Sequence, residues 1–222
     1  MLSRFVQRLT RDEVARFYLL AGSRMPARYR PHYNIAPSQT CLILRLDGDQ
    51  RYGSMSRWGL IPFHFEGRSR KSLTLVSAEA AAGPSFENAF RGRRCLVPCG
   101  GFYGWRSAPE GCSQPYLIDM ADGSPFAMAG LWETWVDPRS RSNVTTFAIV
   151  MTEANDLTSP IMPQMPVIVA PQHWSRWLDA GSTQAARDML RPYPAAKMRA
   201  FRVSSQVNDR KRNGPELIAP LN

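Results

Sequence analysis

Residues 93–105 read RRCLVPCGGFYGW and contain two short apolar segments, Arg93–Pro98 and Gly101–Trp105. Both are predicted as short strands. Upstream, Thr40–Leu46 and Gln50–Trp58 flank Asp47-Gly48-Asp49, a turn sequence typical of a β-hairpin. The middle of the chain is therefore predicted to form antiparallel strands.

Strand patterns continue toward the C-terminus. Pro115–Met120 and Pro125–Trp132 flank a turn at Ala121-Asp122-Gly123 and are predicted as a second hairpin. Val144–Thr152 carries the strongest single strand pattern, and Pro166–Ala170 is another short candidate. Strands follow one another without regularly alternating helices, which favours a largely antiparallel sheet over a parallel one.

Three helices are predicted around these strands. Thr10-Arg11-Asp12-Glu13 is a capping-box pattern, and Val14, Phe17, Tyr18 and Ala21 follow at helical spacing, with Gly22 as the predicted end. Pro171–Leu178 begins with proline in the first turn, and Gln184–Leu190 is a shorter candidate. The predicted class is α+β.

Composition excludes several classes of protein. The chain has 222 residues and is 44% hydrophobic, enough for a core and too much for general disorder. We expect one domain over residues 1–222. No apolar run approaches the roughly 18 residues that a membrane span needs, and the N-terminus lacks the apolar stretch of a secretory signal. Four cysteines are too sparse for a disulfide scaffold, so a reduced, cytoplasmic protein is expected.

Positive charge is concentrated at the two chain ends. The net charge is +10; residues 1–30 carry seven arginines against two acids, and residues 191–222 carry seven Lys or Arg against two acids, so each end contributes +5. Ends that converge in the fold would form one basic surface able to attract phosphates. The alternative is a generally basic proteome, since 25 of the 28 cations are arginine. Charge alone leaves both readings open.

General motifs predict no cofactor and no metal. The sequence lacks a phosphate-binding glycine loop and a dinucleotide fingerprint. None of its three histidines has a second ligand at the spacing of a zinc site. Cys95 and Cys99 are interpreted as buried structural thiols, and Trp132 and Trp135 as core residues rather than base-stacking platforms.

Seven strings, in order along the chain, resemble one family, the SOS response-associated peptidases or abasic-site processing proteins (SRAP). They are HYNIAPSQ at 32–39, WGLIP at 58–62, RCLVP with GFYGW at 94–105, AGLWE at 129–133, FAIVMTEAN at 147–155, MPV at 165–167, and a closing segment with Val203-Ser204, Val207-Asn208 and Gly214–Leu217. The resemblance implies a single α+β domain with a bifurcated, barrel-like antiparallel sheet surrounded by a few helices.

The resemblance also implies a chemistry. Active members begin Met-Cys-Gly-Arg-Phe and lose the initiator methionine, so the new N-terminal cysteine offers an amine and a thiol. Together these groups trap the ring-opened aldehyde of an abasic site in single-stranded DNA as a thiazolidine. An asparagine, a glutamate and a histidine assist by positioning and proton transfer. The same cysteine is the nucleophile suggested for self-proteolysis.

This chain departs from that pattern at every reactive position. The cysteine, asparagine, glutamate and histidine correspond to Leu2, Ser77, Gly104 and Met162. Two arginines that contact phosphate correspond to Glu79 and Gln164, and only Arg4 is retained. The flanking residues fit the family, so the sequence predicts a retained fold with lost chemistry. We expect Met1–Phe5 to insert beside Ser77, Gly104 and Met162.

Three functions follow from these patterns. The first is a catalytically inactive protein that binds single-stranded DNA weakly and salt-dependently, through Arg4 with Arg91, Arg93, Arg94 and Arg106, and with Arg210-Lys211-Arg212 as further candidates. The second is an active crosslinking enzyme or peptidase with shifted chemistry, in which Cys99 supplies the thiol. The third is a protein-interaction module whose cleft is filled by Leu2 and Met162, with no partner indicated. No membrane contact is expected.

Overall fold

The structure, a computed structural model, describes residues 2–20, 24–62, 72–107, 111 and 113–221. Its strands are β1 (Phe5–Gln7), β2 (His32–Ile35), β3 (Thr40–Asp47), β4 (Gln50–Trp58), β5 (Leu75–Ser77), β6 (Arg94–Cys99), β7 (Gly101–Arg106), β8 (Gln114–Met120), β9 (Phe126–Val136), β10 (Asn143–Glu153), β11 (Gln164–Pro166), β12 (Ile168–Val169) and β13 (Met198–Arg202). Its α-helices are α1 (Arg11–Phe17), α2 (Ala78–Ala82), α3 (Glu87–Gly92), α4 (Trp174–Leu178) and α5 (Thr183–Asp188).

Five strands close into a barrel. Antiparallel pairs join β4 to β3, β3 to β6, β6 to β9 and β9 to β10, and the parallel pair of β10 with β4 closes the ring. The short strands β5, β11 and β12 extend it: β5 and β11 pair with β10, and β12 pairs with β9. The expected barrel-like sheet is confirmed, with parallel pairs at β10 as an addition.

A second sheet, in the order β13-β8-β7-β1-β2, is antiparallel throughout. One of its faces contributes Phe5, Phe102 and Ile118 to the apolar cluster that also holds Ile43 and Phe147 of the barrel. Because side chains alternate across a strand, their neighbours Val6, Tyr103 and Leu117 lie on the opposite face, where Val203 and Val207 of the C-terminal segment cover them.

The α+β class and several predicted elements are confirmed. The hairpin of β3 and β4 forms with the predicted turn, where Gly48 has φ +57°. The capping box also forms: Thr10 Oγ1 accepts from the Glu13 amide and the Glu13 carboxylate accepts from the Thr10 amide. Helix α1 ends at Phe17, earlier than predicted, and the predicted end at Ala21 and Gly22 lies outside the described residues.

The second predicted hairpin is wrong. Strands β8 and β9 exist, but β8 pairs with β7 and β13, whereas β9 pairs with β6, β10 and β12. The turn at Asp122 and Gly123 is real, since the Gly123 amide donates to the Met120 carbonyl at 2.9 Å. It is a corner between sheets, because β8 belongs to the second sheet and β9 to the barrel. The predicted strand Pro166–Ala170 is likewise divided into β11 and β12.

Candidate active site

The N-terminal segment runs into the molecule beside β7. Phe5 pairs with Phe102, and the Tyr103 amide donates to the Arg4 carbonyl at 3.0 Å. Leu2 is only 2% exposed and belongs to the same apolar cluster as Phe102 and Met162. The residue at the nucleophile position is therefore part of the hydrophobic core.

Gly104 leaves a notch in β7 that two side chains fill. A Cβ atom at this position would lie 2.7 Å from Ile161 Cγ2, 3.1 Å from Met162 Sδ and 3.2 Å from Ile118 Cδ1. The first of these is shorter than any ordinary contact between carbon atoms. The space that a side chain at residue 104 would need is thus occupied. Gly104 and Met162, the positions predicted from the resemblance to correspond to a glutamate and a histidine, pack against each other.

Polar contacts fix the segment that carries Ile161 and Met162. Asn155 Oδ1 accepts from the Thr158 amide at 3.0 Å, and the Met162 amide donates to the Thr158 carbonyl at 2.9 Å. Asn155 Nδ2 also donates to the Tyr193 carbonyl at 2.7 Å, which ties this segment to the chain ahead of β13. The apolar filling of the notch is therefore held by the backbone as well as by packing.

Ser77 has a structural role in this protein. It ends β5, pairs with Met151 of β10, and is the N-cap of α2, where its Oγ accepts from the Ala80 amide at 3.1 Å. Glu79 lies exposed in the first turn of α2, where a negative charge is favourable to the helix. Met162 thus packs at Gly104, Leu2 belongs to the same apolar cluster as Met162, and the Ser77 hydroxyl serves as a helix cap.

The two positively charged chain ends do converge. Arg4 is buried, and its guanidinium donates to the Ser3 carbonyl at 3.2 Å and the Asn208 carbonyl at 3.4 Å. Burial, with a smaller contribution from nearby Arg210, lowers the pKa of Arg4. Three exposed cations lie shortly after Asn208 in the sequence. We name these residues, Arg210, Lys211 and Arg212, the tail cluster.

Asn34 anchors the tail cluster, a role that the sequence did not reveal. It is fully buried, and its Nδ2 donates to the carbonyls of Val207, Asp209 and Arg212 at 3.1, 3.0 and 3.2 Å. Trp105 Nε1 donates to Asn208 Oδ1 at 2.8 Å beside the same tail. The asparagine of the YNIAP string was the available signal, since a buried amide between apolar neighbours needs several partners.

The remaining candidate arginines differ in availability. Arg94 is 3% exposed, and its guanidinium donates to the carbonyls of Phe90, Trp177 and Asp179, so it joins α3 and α4 to β6 and is not free for phosphate. Its proposed role as a DNA contact is corrected accordingly. Arg93 forms a 2.7 Å ion pair with Glu133. Arg91 and Arg106 are exposed and stay candidates for DNA contacts.

Comparison with known proteins settles the family. The family model described as SOS response associated peptidase (SRAP) matches residues 1–210. The chain belongs to the SRAP family. It is 35% identical over 195 residues to abasic site processing protein YoqW of Bacillus subtilis strain 168, covering 86% of each chain. It is 26% identical to abasic site processing protein HMCES of Gallus gallus, covering 87% of this chain and 67% of that protein.

A solved structure shows the same fold. A crystal structure of a protein from Bacteroides thetaiotaomicron superposes with a TM-score of 0.83 at 23% identity and 99% coverage of both chains. At that identity the likeness concerns the fold alone. In the described part of this SRAP chain, no helix is both long and apolar enough to cross a membrane.

The hypothesis that Cys99 replaces the SRAP thiol is wrong on geometry. Cys99 is 2% exposed, and its Sγ contacts the Gly101 carbonyl at 3.2 Å. Burial is the main cause that raises the pKa of this thiol to about 12, so it is protonated and shielded at neutral pH. Cys41 and Cys95 are also buried and free, and burial raises the pKa of each. Cys112 lies outside the described residues.

Proposed function

We propose that this SRAP protein binds single-stranded DNA weakly and no longer forms the covalent abasic-site adduct. The observation that carries the proposal is the apolar packing of Ile161 and Met162 at Gly104, within the buried apolar cluster that also contains Leu2. The relatives are named abasic site processing proteins, which supports DNA as the ligand class.

Loss of chemistry follows from the groups present. A stable thiazolidine requires a thiol next to the reacting amine, and Leu2 provides only a branched hydrocarbon at that position. A bulky second residue also disfavours removal of Met1, so the amine lies one residue from its place in active members. Gly104 and Met162 supply neither acid nor base, and such groups each contribute about 10²–10⁴-fold to a rate.

Retained DNA binding follows from charge. The tail cluster is exposed and lies beside Arg4. Its backbone is held by Asn34 and by the Asp209 carboxylate, which accepts from the Lys211 backbone amide at 3.0 Å. Exposed cations attract phosphates by releasing counterions, which makes affinity strongly dependent on salt. Glu79 and Gln164 replace two arginines of the family pattern, and so the affinity should be low.

The experiment uses a 20-nucleotide single strand that contains one abasic site. We expect unmodified protein to bind it reversibly and to give no adduct on a denaturing gel. Met1 can still form a hydrolysable imine, so borohydride should trap a trace. A stable adduct that accumulates without borohydride would overturn the inactive assignment. An identical strand with thymidine at the abasic position is the control.

Variants separate the lost groups. Leu2→Cys should give slow crosslinking, because it restores the thiol and permits removal of Met1 but not proton transfer. Adding Ser77→Asn, Gly104→Glu and Met162→His should increase the rate only if Ile161 is also made smaller, since its Cγ2 lies where the new Cβ must go. A Leu2→Ser variant is the matched control, since it also permits removal of Met1 but lacks the thiol.

A further inference from the structure

A cleft of about 540 Å³ lies away from the filled notch at Gly104. Its walls come from β12, α4, α5 and the segment between α5 and β13. Apolar side chains dominate the floor, and they include Ile168, Val169, Met189 and Pro192. A cavity of this size with a largely apolar lining is typical of a ligand-binding site.

Three cations stand around this cleft. Arg176, Arg191 and Lys197 all line it and all are exposed. In the part of the chain that the structure describes, none of the three side chains forms a hydrogen bond or an ion pair with the protein. Among the described residues that line the cleft, the one carboxylate is that of Asp188, which accepts from Gln184 Nε2 at 3.1 Å. The charge around the cleft is thus unbalanced and favours an anionic occupant.

The walls are fixed before any ligand arrives. Trp174 Nε1 donates to the Val169 carbonyl at 2.8 Å, and the His173 amide donates to the Ala170 carbonyl at 2.8 Å. On the opposite side, Asn155 holds the Tyr193 carbonyl at 2.7 Å. A preformed cleft avoids part of the ordering cost of binding.

We propose that this cleft binds an acidic peptide segment of a partner protein, with a large apolar side chain in the floor and Asp or Glu beside it. The lining is mainly aliphatic, with His173 and Tyr193 as the aromatic rings among its described residues. Such a lining suits Leu or Phe side chains better than nucleobases, which stack on exposed aromatic platforms. The cations are separated, flexible side chains on the rim, as expected for several carboxylates spaced along a peptide. Methionine at residue 189 adds adaptability to the floor.

The probe is a fluorescein-labelled peptide, EEDLFDEE, titrated with the full chain and followed by fluorescence anisotropy. We expect measurable binding, and at least tenfold weaker binding of EEDSSDEE and of KKSLFSKK. Arg176→Glu, Arg191→Glu and Lys197→Glu should each weaken EEDLFDEE binding about 3–10-fold. Arg139→Glu, on an exposed turn between β9 and β10, changes net charge equally and should have no more than a twofold effect.

A second variant separates shape from charge. Ala185 lines the cleft and lies on α5, so Ala185→Arg adds bulk together with a favourable charge. The proposal requires this variant to bind the peptide more weakly, and thermal melting would verify that it folds. The proposal would be overturned by any of three results. The first is equal binding of EEDLFDEE and EEDSSDEE, the second is equal effects of Arg139→Glu and Arg176→Glu, and the third is competition by oligothymidylate at the same three cations. The crosslinking result at Leu2 is independent of this outcome.

Discussion

The notch at Gly104 predicts that the smallest possible addition destabilises the protein. In Gly104→Ala the new methyl group would lie 2.7 Å from Ile161 Cγ2 and 3.1 Å from Met162 Sδ. Overpacking of a closed core costs about 1–3 kcal/mol. The loss of glycine's freedom in the unfolded chain offsets about 0.4–1 kcal/mol of that cost. The expected net loss in free energy of unfolding is therefore about 0–2.6 kcal/mol, with a midpoint of about 1.3 kcal/mol.

A double-mutant cycle identifies the cause. Leucine carries no branch at Cβ, so Ile161→Leu removes the methyl group that is closest to the new atom while it conserves side-chain volume. Alone, this swap should cost under about 1.5 kcal/mol. Combined with Gly104→Ala, it should recover stability, with a coupling energy of about 1 kcal/mol or more. The measurement is urea unfolding followed by tryptophan fluorescence, with Trp58 and Trp177 as buried probes.

Gly92→Ala is the matched control. Gly92 is the last residue of α3, and a Cβ built there meets nothing within 4 Å. The same substitution should therefore stabilise the protein by up to about 1 kcal/mol. The reasoning about the notch fails if Gly104→Ala matches Gly92→Ala, or if the cycle with Ile161→Leu is additive within about 0.5 kcal/mol.

Three further outcomes are expected. Replacing the tail cluster by alanines should weaken binding to single-stranded DNA. The slope of log affinity against log salt concentration, measured by anisotropy between 50 and 200 mM salt, should decrease by about 0.7 for each lost phosphate contact. An unchanged slope would exclude the cluster from the interface. Arg94→Ala should lower the free energy of unfolding by about 3–5 kcal/mol, since buried carbonyls lose charged donors, whereas exposed Arg91→Ala should change it by under about 0.5 kcal/mol. Burial lowers the pKa of His32, whose Nδ1 accepts from the Asn34 backbone amide at 3.0 Å. The stability that His32 contributes is therefore fully present above its unfolded pKa of about 6.5 and is lost as the pH falls through its folded pKa. The variant His32→Asn should make the melting temperature less dependent on pH between pH 7.5 and 5.5.

Local signals in the sequence predicted local structure well. The capping box of α1 and the hairpin of β3 and β4 depend on residues within a few positions of each other, and both formed as predicted. The turn at Gly123 also formed, but which strands pair beyond a turn depends on distant partners. The pairing of β8 with β13 brings residues 116–120 against 198–202, and no local pattern encodes it.

The sequence predicted which residues belong to the candidate site but not how their side chains pack. Resemblance to the SRAP family located Leu2, Gly104 and Met162, which the structure places in one buried region. Ile161 has no counterpart in that reasoning, because a contact between its Cγ2 and an absent Cβ has no signature in sequence. The role of Arg94 was misjudged for a related reason: an arginine that holds backbone carbonyls has the same sequence appearance as one that contacts DNA.

Packing at the notch also determines what it would cost to restore the reactive groups one at a time. A reactive cleft must keep an acid, a base and a nucleophile close together with incomplete partners, which costs stability. Here hydrocarbon fills the same volume, and Met162 and Ile161 fit against a residue without a side chain. Restoring the glutamate alone would force overlap with Ile161, and restoring the histidine alone would place a polar ring in an apolar cluster that offers it no acid. Each single restoration is therefore expected to destabilise the fold before it supplies a working reactive group, which is the packing consequence of the proposed inactive state.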